Sequence, residues 1–98
     1  MAKCVVLISE SKYTEEHDAF LRNILSQKPD LFSVLGVDCE NWEEAMDWIS
    51  VMLNVNEGID ISCNTTSHPN QSIDEVLEFA NQWCYLKGWE RDVCVLKI

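Results

Sequence analysis

The chain has 98 residues, 47% of them apolar, and carries 17 acids against 7 bases, a formal net charge of −10. That length fits one domain with a single modest core, and the apolar content excludes a disordered chain, which couples low hydrophobicity to high charge. The negative charge repels phosphate backbones and anionic bilayers, so nucleic acid and membrane are not expected partners and a basic protein is.

The first apolar run, Cys4 to Ile8, is too short for a signal h-region or a membrane span. A single cytoplasmic domain over residues 1–98 is expected. The five cysteines (Cys4, Cys39, Cys63, Cys84 and Cys94) are odd in number and contain no CxxC pair. They read as small buried hydrophobes in a reducing compartment, without disulfides or a zinc cluster.

In chain order, Lys3 to Ser9 is rich in β-branched and aliphatic residues and predicts a strand covered on both faces. Thr14 caps a helix over Glu15 to Gln27, with Glu15, Glu16 and Asp18 in the first turn and Phe20, Leu21, Ile24 and Leu25 as its inner stripe. Pro29 ends it. Leu31 to Val37 is a second strand, in which Gly36 marks a bulge or a close backbone approach. Asn41 and Glu44 predict a capping box. The helix they open has Trp42, Ala45, Met46, Ile49, Met52 and Leu53 as its inner stripe, widened by Trp48.

A turn cluster, Asn54 to Gly58, leads to a third strand over Ile59 to Thr65. Its polar residues Asp60, Ser62 and Asn64 alternate with apolar ones, which suggests either an edge strand or a face that meets something polar. Ser72 and Glu75 form a capping box for a helix with Ile73, Val76, Leu77, Ala80, Trp83 and Cys84 inward, closed by Gly88. Asp92 to Ile98 is the fourth strand.

The order βαβαβαβ implies a small three-layer α/β sandwich: three helices on a four-stranded, mostly parallel sheet, expected in the order 2-1-3-4. The short connection Gly88 to Arg91 leaves an antiparallel last strand open.

Sites in open parallel sheets form beyond the carboxyl ends of the strands. Those ends bring Ser9 to Lys12, Asp38 to Asn41 and Thr65 to His68 to one rim. Cys39 and His68 could be a nucleophile and base, yet no oxyanion-hole signature or nucleophile elbow accompanies them. The rim loops lack the glycines of a phosphate cradle. Asp38, Glu40 and His68 share no metal-ligand spacing. No cofactor is therefore expected.

Acids dominate instead. Glu10, Asp38, Glu40, Glu43, Glu44 and Asp47 gather beside Trp42, Thr66, Ser67 and His68, and an aromatic next to charge is the composition of a protein-binding surface, to which Trp48, Trp89 and Tyr13 could contribute where they are not core.

The stretch Thr65-Thr66-Ser67-His68, followed by Ser72-Ile73-Asp74-Glu75-Val76-Leu77-Glu78-Phe79-Ala80, resembles small acidic uncharacterised bacterial proteins of the domain-of-unknown-function kind. The resemblance implies a bacterial or phage origin and transfers no activity. The expectation is a non-enzymatic binding protein, such as an immunity protein or small inhibitor that neutralises a basic partner. The alternatives are a small enzyme or ligand-binding domain using Cys39, His68, Ser67 and Asp38, and a homodimeric accessory subunit joined at a strand edge.

Overall fold

The computed structural model describes residues 2–98, so Met1 of the expected 1–98 domain lies outside them. Cys4–Ser9 forms β1, with only Ile8 reaching partial exposure. A strand so apolar on both faces belongs in the interior of a sheet. It pairs in parallel with β2 (Leu31–Gly36) on one side and with β4 (Val93–Lys97) on the other. The third strand, β3 (Asn64–His68), pairs in parallel with the far side of β2.

The sheet is therefore wholly parallel, in the order β3-β2-β1-β4. This corrects the expected order 2-1-3-4 and rules out an antiparallel last strand. β3 reads Asn-Thr-Thr-Ser-His and would strand polar side chains between two covered faces. The edge beyond β2 leaves them partly exposed, and the more apolar β4 takes the place beside β1. The short link into β4 is not a hairpin, because the preceding helix is itself the crossover.

Three helices cover the sheet. α1 (Asp18–Ser26) and α2 (Cys39–Asn56) lie on one face and α3 (Ile73–Leu86) on the other. Val5, Leu7, Phe32 and Val34 pack with Leu21, Ile24, Leu25, Trp42, Met46 and Leu53. Through the opposite face, Cys4, Val6, Leu31 and Leu35 meet Val76, Ala80 and Cys84. Cys4 and Cys84 bring their sulfurs to 3.4 Å in this layer.

The helix ends show which local signals held. Ser72 and Glu75 form the expected reciprocal cap, the Glu75 amide donating to Ser72 Oγ at 3.2 Å and the Ser72 amide to Glu75 Oε1 at 3.1 Å. Gly88, at φ +76°, closes α3: its amide donates to the Tyr85 carbonyl and the Trp89 amide to that of Cys84. The first helix starts late, because Thr14 opens a three-residue 3-10 turn, Glu15–His17, ahead of α1. α2 begins at Cys39 with Asp38 at its N-cap, and Asn41 lies inside the helix, donating to Asp38 Oδ1 at 2.7 Å. The expected Asn41–Glu44 cap does not form.

The third strand also starts later than expected. Ile59 to Cys63 is irregular, and pairing with β2 begins at Asn64. Ile61 is a buried peg held by one side chain: Asn54 Oδ1 accepts from the Ile61 amide at 2.9 Å, and Asn54 Nδ2 donates to the Ile61 carbonyl at 3.1 Å. The apolar alternation that suggested a strand thus reflects a stapled loop.

Candidate functional site: the carboxyl rim of the sheet

β2 ends in Gly36 at φ +95°, where an added Cβ would lie 2.3 Å from the Ser9 carbonyl oxygen. The close approach expected at Gly36 is there: the next amide, Val37, donates to that oxygen at 2.9 Å. This draws the ends of β1 and β2 together and turns the chain outward into Asp38.

Asp38 sits in the left-handed region at φ +58° and joins two loops. Its Oδ2 accepts from the Tyr13 amide at 3.0 Å while Oδ1 accepts from Asn41 Nδ2. A second tie comes from Trp42, whose Nε1 donates to the Ser11 carbonyl at 3.0 Å. The β1 and β2 loops are therefore fixed relative to each other.

Beside them lies an open depression of about 330 Å³, lined by Gly36, Asp38, Cys39, Glu40 and Asn41 after β2 and by Pro69 and Asn70 after β3. The switch point of strand order lies elsewhere, between β1 and β4. There the Ile98 amide donates to the Ile8 carbonyl, the Glu10 amide donates to that of Ile98, and Lys97 Nζ meets Glu10 Oε1 at 3.1 Å.

Apart from Glu10, which meets Lys97 at the β1–β4 end, the rim acids divide into two groups. Asp38 and Glu40 line the depression. Glu43, Glu44 and Asp47 continue along α2, whose sequence holds no Lys or Arg. Glu43 is half-buried. Burial raises the pKa of its carboxyl above the usual range, Asp47 and Glu44 push it further, and a hydrogen bond with Thr65 opposes them.

Several residues expected at the surface are not available to a partner. Trp42 is fully buried, packed edge-on to Tyr13 at 5.4 Å and against His17 at 4.7 Å. It supports the rim from beneath. His68 is buried on the α3 face, 4.8 Å from the Phe79 ring. Its Nδ1 lies 2.6 Å from Gln71 Oε1 and its Nε2 2.9 Å from Thr66 Oγ1, which is 2.7 Å from the buried Ser33 Oγ. One tautomer satisfies the chain: Nδ1–H donates to Gln71, the Thr66 hydroxyl donates to Nε2, and the Ser33 hydroxyl donates to Thr66. Thr66 and His68 are thus bound up in a structural network. Ser67 stands on the opposite face, paired in register with Val34, and is partly exposed.

Cys39 packs into the layer under α1 and α2, whereas His68 faces α3. The sheet lies between them, so they do not form a nucleophile–base pair. Asp38, Glu40 and His68 do not converge either. Among the described residues, no group of three or more His, Cys, Asp and Glu is placed to hold a metal ion. No helix among them is long and apolar enough to cross a membrane.

Sequence reasoning missed two features. The Ser33–Thr66–His68–Gln71 chain is hidden when the third strand is ended at Thr65 and Thr66 to His68 read as a loop; once they form a strand, period-two alternation puts Thr66 and His68 on one face. Met52 is expected inside, and Trp48 either there or at the binding surface; both are exposed, Trp48 at 63% and Met52 at 36%. At 100° per residue both fall outside the narrow stripe set by Trp42, Met46, Ile49 and Leu53.

No curated protein and no solved structure matches this chain. The family described as Domain of unknown function (DUF7684) matches residues 1–98. The small acidic α/β domain with this rim therefore belongs to the DUF7684 family.

Proposed function

We propose that the chain is a non-catalytic binding module of the immunity-protein or small-inhibitor kind, which engages a basic protein partner in the cytoplasm through the acidic carboxyl rim. One observation carries the reading: the charged side chains lining the rim depression are Asp38 and Glu40, and α2 extends that surface with Glu43, Glu44 and Asp47 and no base. A rigid surface of one charge sign selects an oppositely charged partner, speeds encounter and rejects wrong ones. The ties from Asp38 to Tyr13 and from Trp42 to Ser11 hold that surface in shape before binding, which lowers the ordering cost of association.

An enzyme or ligand-binding reading draws less support, since Cys39 and His68 occupy opposite faces. A homodimer through the β4 edge has the 45% exposed Val95 in its favour and the repulsion of two chains at −10 against it; sedimentation at several concentrations separates it from a monomer.

The test is affinity capture from the native lysate at low salt, followed by binding measurements on the captured partner. Glu40→Lys with Glu44→Lys changes two exposed side chains and should weaken binding by roughly ten-fold or more. The wild-type affinity should fall as salt rises. An affinity unaffected by both would refute the proposal.

A further inference from the structure

Among the described residues, the second half of α2 leaves one apolar face open to solvent. Trp48, Val51, Met52 and Val55 are exposed at 63%, 45%, 36% and 74%. Their spacing, i, i+3, i+4 and i+7, places them in one stripe on the helix. The inner stripe of Trp42, Met46, Ile49 and Leu53 already anchors α2 to the sheet, so the outer one is not needed for folding. Apolar side chains scattered over a surface are ordinary, but four on one helix face form a contiguous patch of the kind that marks an interaction site.

The charge on the same helix identifies the occupant. All four acids of α2 lie in its first half, from Glu40 to Asp47, and all four exposed apolar residues lie in its second half. Glu44 is one turn before Trp48, in line with the stripe, and Asp47 adjoins it. A second copy of the chain fits poorly. Antiparallel pairing along the full helix would set the acids of one α2 against the apolar stripe of the other, and a staggered pairing of stripe on stripe would bring two chains of charge −10 together over Trp48–Val55 alone. Parallel pairing would set acid on acid. A lipid surface is disfavoured by the net charge of −10.

We infer that this face of α2 binds an amphipathic helix of a partner protein, with apolar residues opposite Trp48–Val55 and Lys or Arg opposite Glu40–Asp47. α2 spans 18 residues, about 27 Å at 1.5 Å per residue, so a partner helix of about five turns would cover both halves. This deepens the proposed binding of a basic partner and rests on it: the rim supplies charge complementarity, and the stripe supplies the apolar anchor that charge alone lacks.

The test uses the intact chain and synthetic peptides of helix α2's length. One carries Leu at helical spacing and Lys elsewhere, one has the same composition scrambled, and one replaces Lys by Glu. Binding is followed by calorimetry and by amide shifts of the labelled chain. The Leu/Lys helix should bind with shifts concentrated in α2, the scrambled peptide should bind roughly ten-fold more weakly or worse, and the Leu/Glu peptide should not bind. Trp48→Ala with Val55→Ser, both at exposed positions, should weaken the Leu/Lys peptide by roughly ten-fold or more.

Equal binding of the ordered and scrambled peptides would overturn the inference. So would an affinity unmoved by the Trp48/Val55 pair while Glu40→Lys with Glu44→Lys still reduced it; the rim reading would then stand without the stripe. Binding that needed Trp48 but ignored both salt and those Lys substitutions would remove the basic partner, and the rim reading with it. Dimerisation of the chain abolished by Trp48→Ala, or uptake onto zwitterionic vesicles through the stripe, would assign the face to another occupant.

Discussion

Gly36→Ala perturbs the point where the rim is built. At φ +95° a side chain is strained whatever surrounds it, and here its Cβ would also lie 2.3 Å from the Ser9 carbonyl oxygen, a backbone atom that cannot swing aside. Relief requires the ends of β1 and β2 to part, which sacrifices the 2.9 Å hydrogen bond from the Val37 amide to that oxygen. The backbone strain costs on the order of 1–3 kcal/mol and the hydrogen bond about 1 kcal/mol, so a total near 3 kcal/mol is expected.

Gly58→Ala is the control. Gly58 also has positive φ, +65°, but nothing lies within 4 Å of its added Cβ, so only the left-handed penalty of about 1 kcal/mol applies. Urea unfolding with a shared m-value gives both numbers. On heating, the Gly36 variant should melt roughly 12–24 °C below wild type. Equal losses in the two variants, or a Gly36→Ala loss under about 1 kcal/mol, would refute the claim that this close approach shapes the rim.

Other predictions concern single groups. Glu43 has its carboxyl pKa raised in the folded protein, so its contribution to stability is present below its ordinary pKa and lost as pH rises through the raised value. Glu43→Gln should therefore stabilise the fold at pH 7 by about 0.5 kcal/mol, the size of a relieved like-charge helical pair, and the gain should vanish on titration to about pH 4. Tyr13 donates its hydroxyl to Asp18, and its pKa is pushed from 10.0 up to about 12, first by burial and then by that hydrogen bond and the charges of Asp18 and Glu15. Its stabilisation is complete below pH 10 and lost between there and about pH 12; Tyr13→Phe should lack that alkaline slope in denaturation curves. Thr66→Val would leave Ser33 Oγ and His68 Nε2 without their shared partner, at a cost of roughly 1–3 kcal/mol in urea unfolding. A neutral result would show that the network is not structural.

The fold was legible where a residue's signal was local. The run from Cys4 to Ser9 announced a strand buried on both faces, and Ser72 with Glu75 announced a helix start, because each depends on neighbours within four residues. Strand order was not legible, since it depends on which partner tolerates β3, and β3 was itself misplaced. Ile59 and Ile61 alternate as a strand would, but Asn54 takes up the Ile61 backbone in a loop, a bond between residues that the pattern treats as separate elements.

At the site, Asp38, Glu40, Glu43, Glu44 and Asp47 could be read from charge and position. Trp42 reads both as part of the inner stripe and as a rim aromatic; the structure bears out the first, with its indole serving the core and its Nε1 the Ser11 carbonyl. Cys39 and His68 looked like neighbours because both follow strands; side-chain alternation along β3 sends His68 through to the α3 face. Trp48 reads either as widening the inner stripe or as part of the binding surface; its angular position on α2 points away from the sheet, and it is exposed.

The most direct test of the account is the amide-shift footprint of the captured basic partner on the labelled chain, recorded at low and high salt. Perturbations over Asp38–Asp47 and at Asn70 that fade with salt, and that Glu40→Lys with Glu44→Lys removes, are the expected result. A footprint centred on β4 or α3, or one on the rim indifferent to salt and to both substitutions, would contradict it.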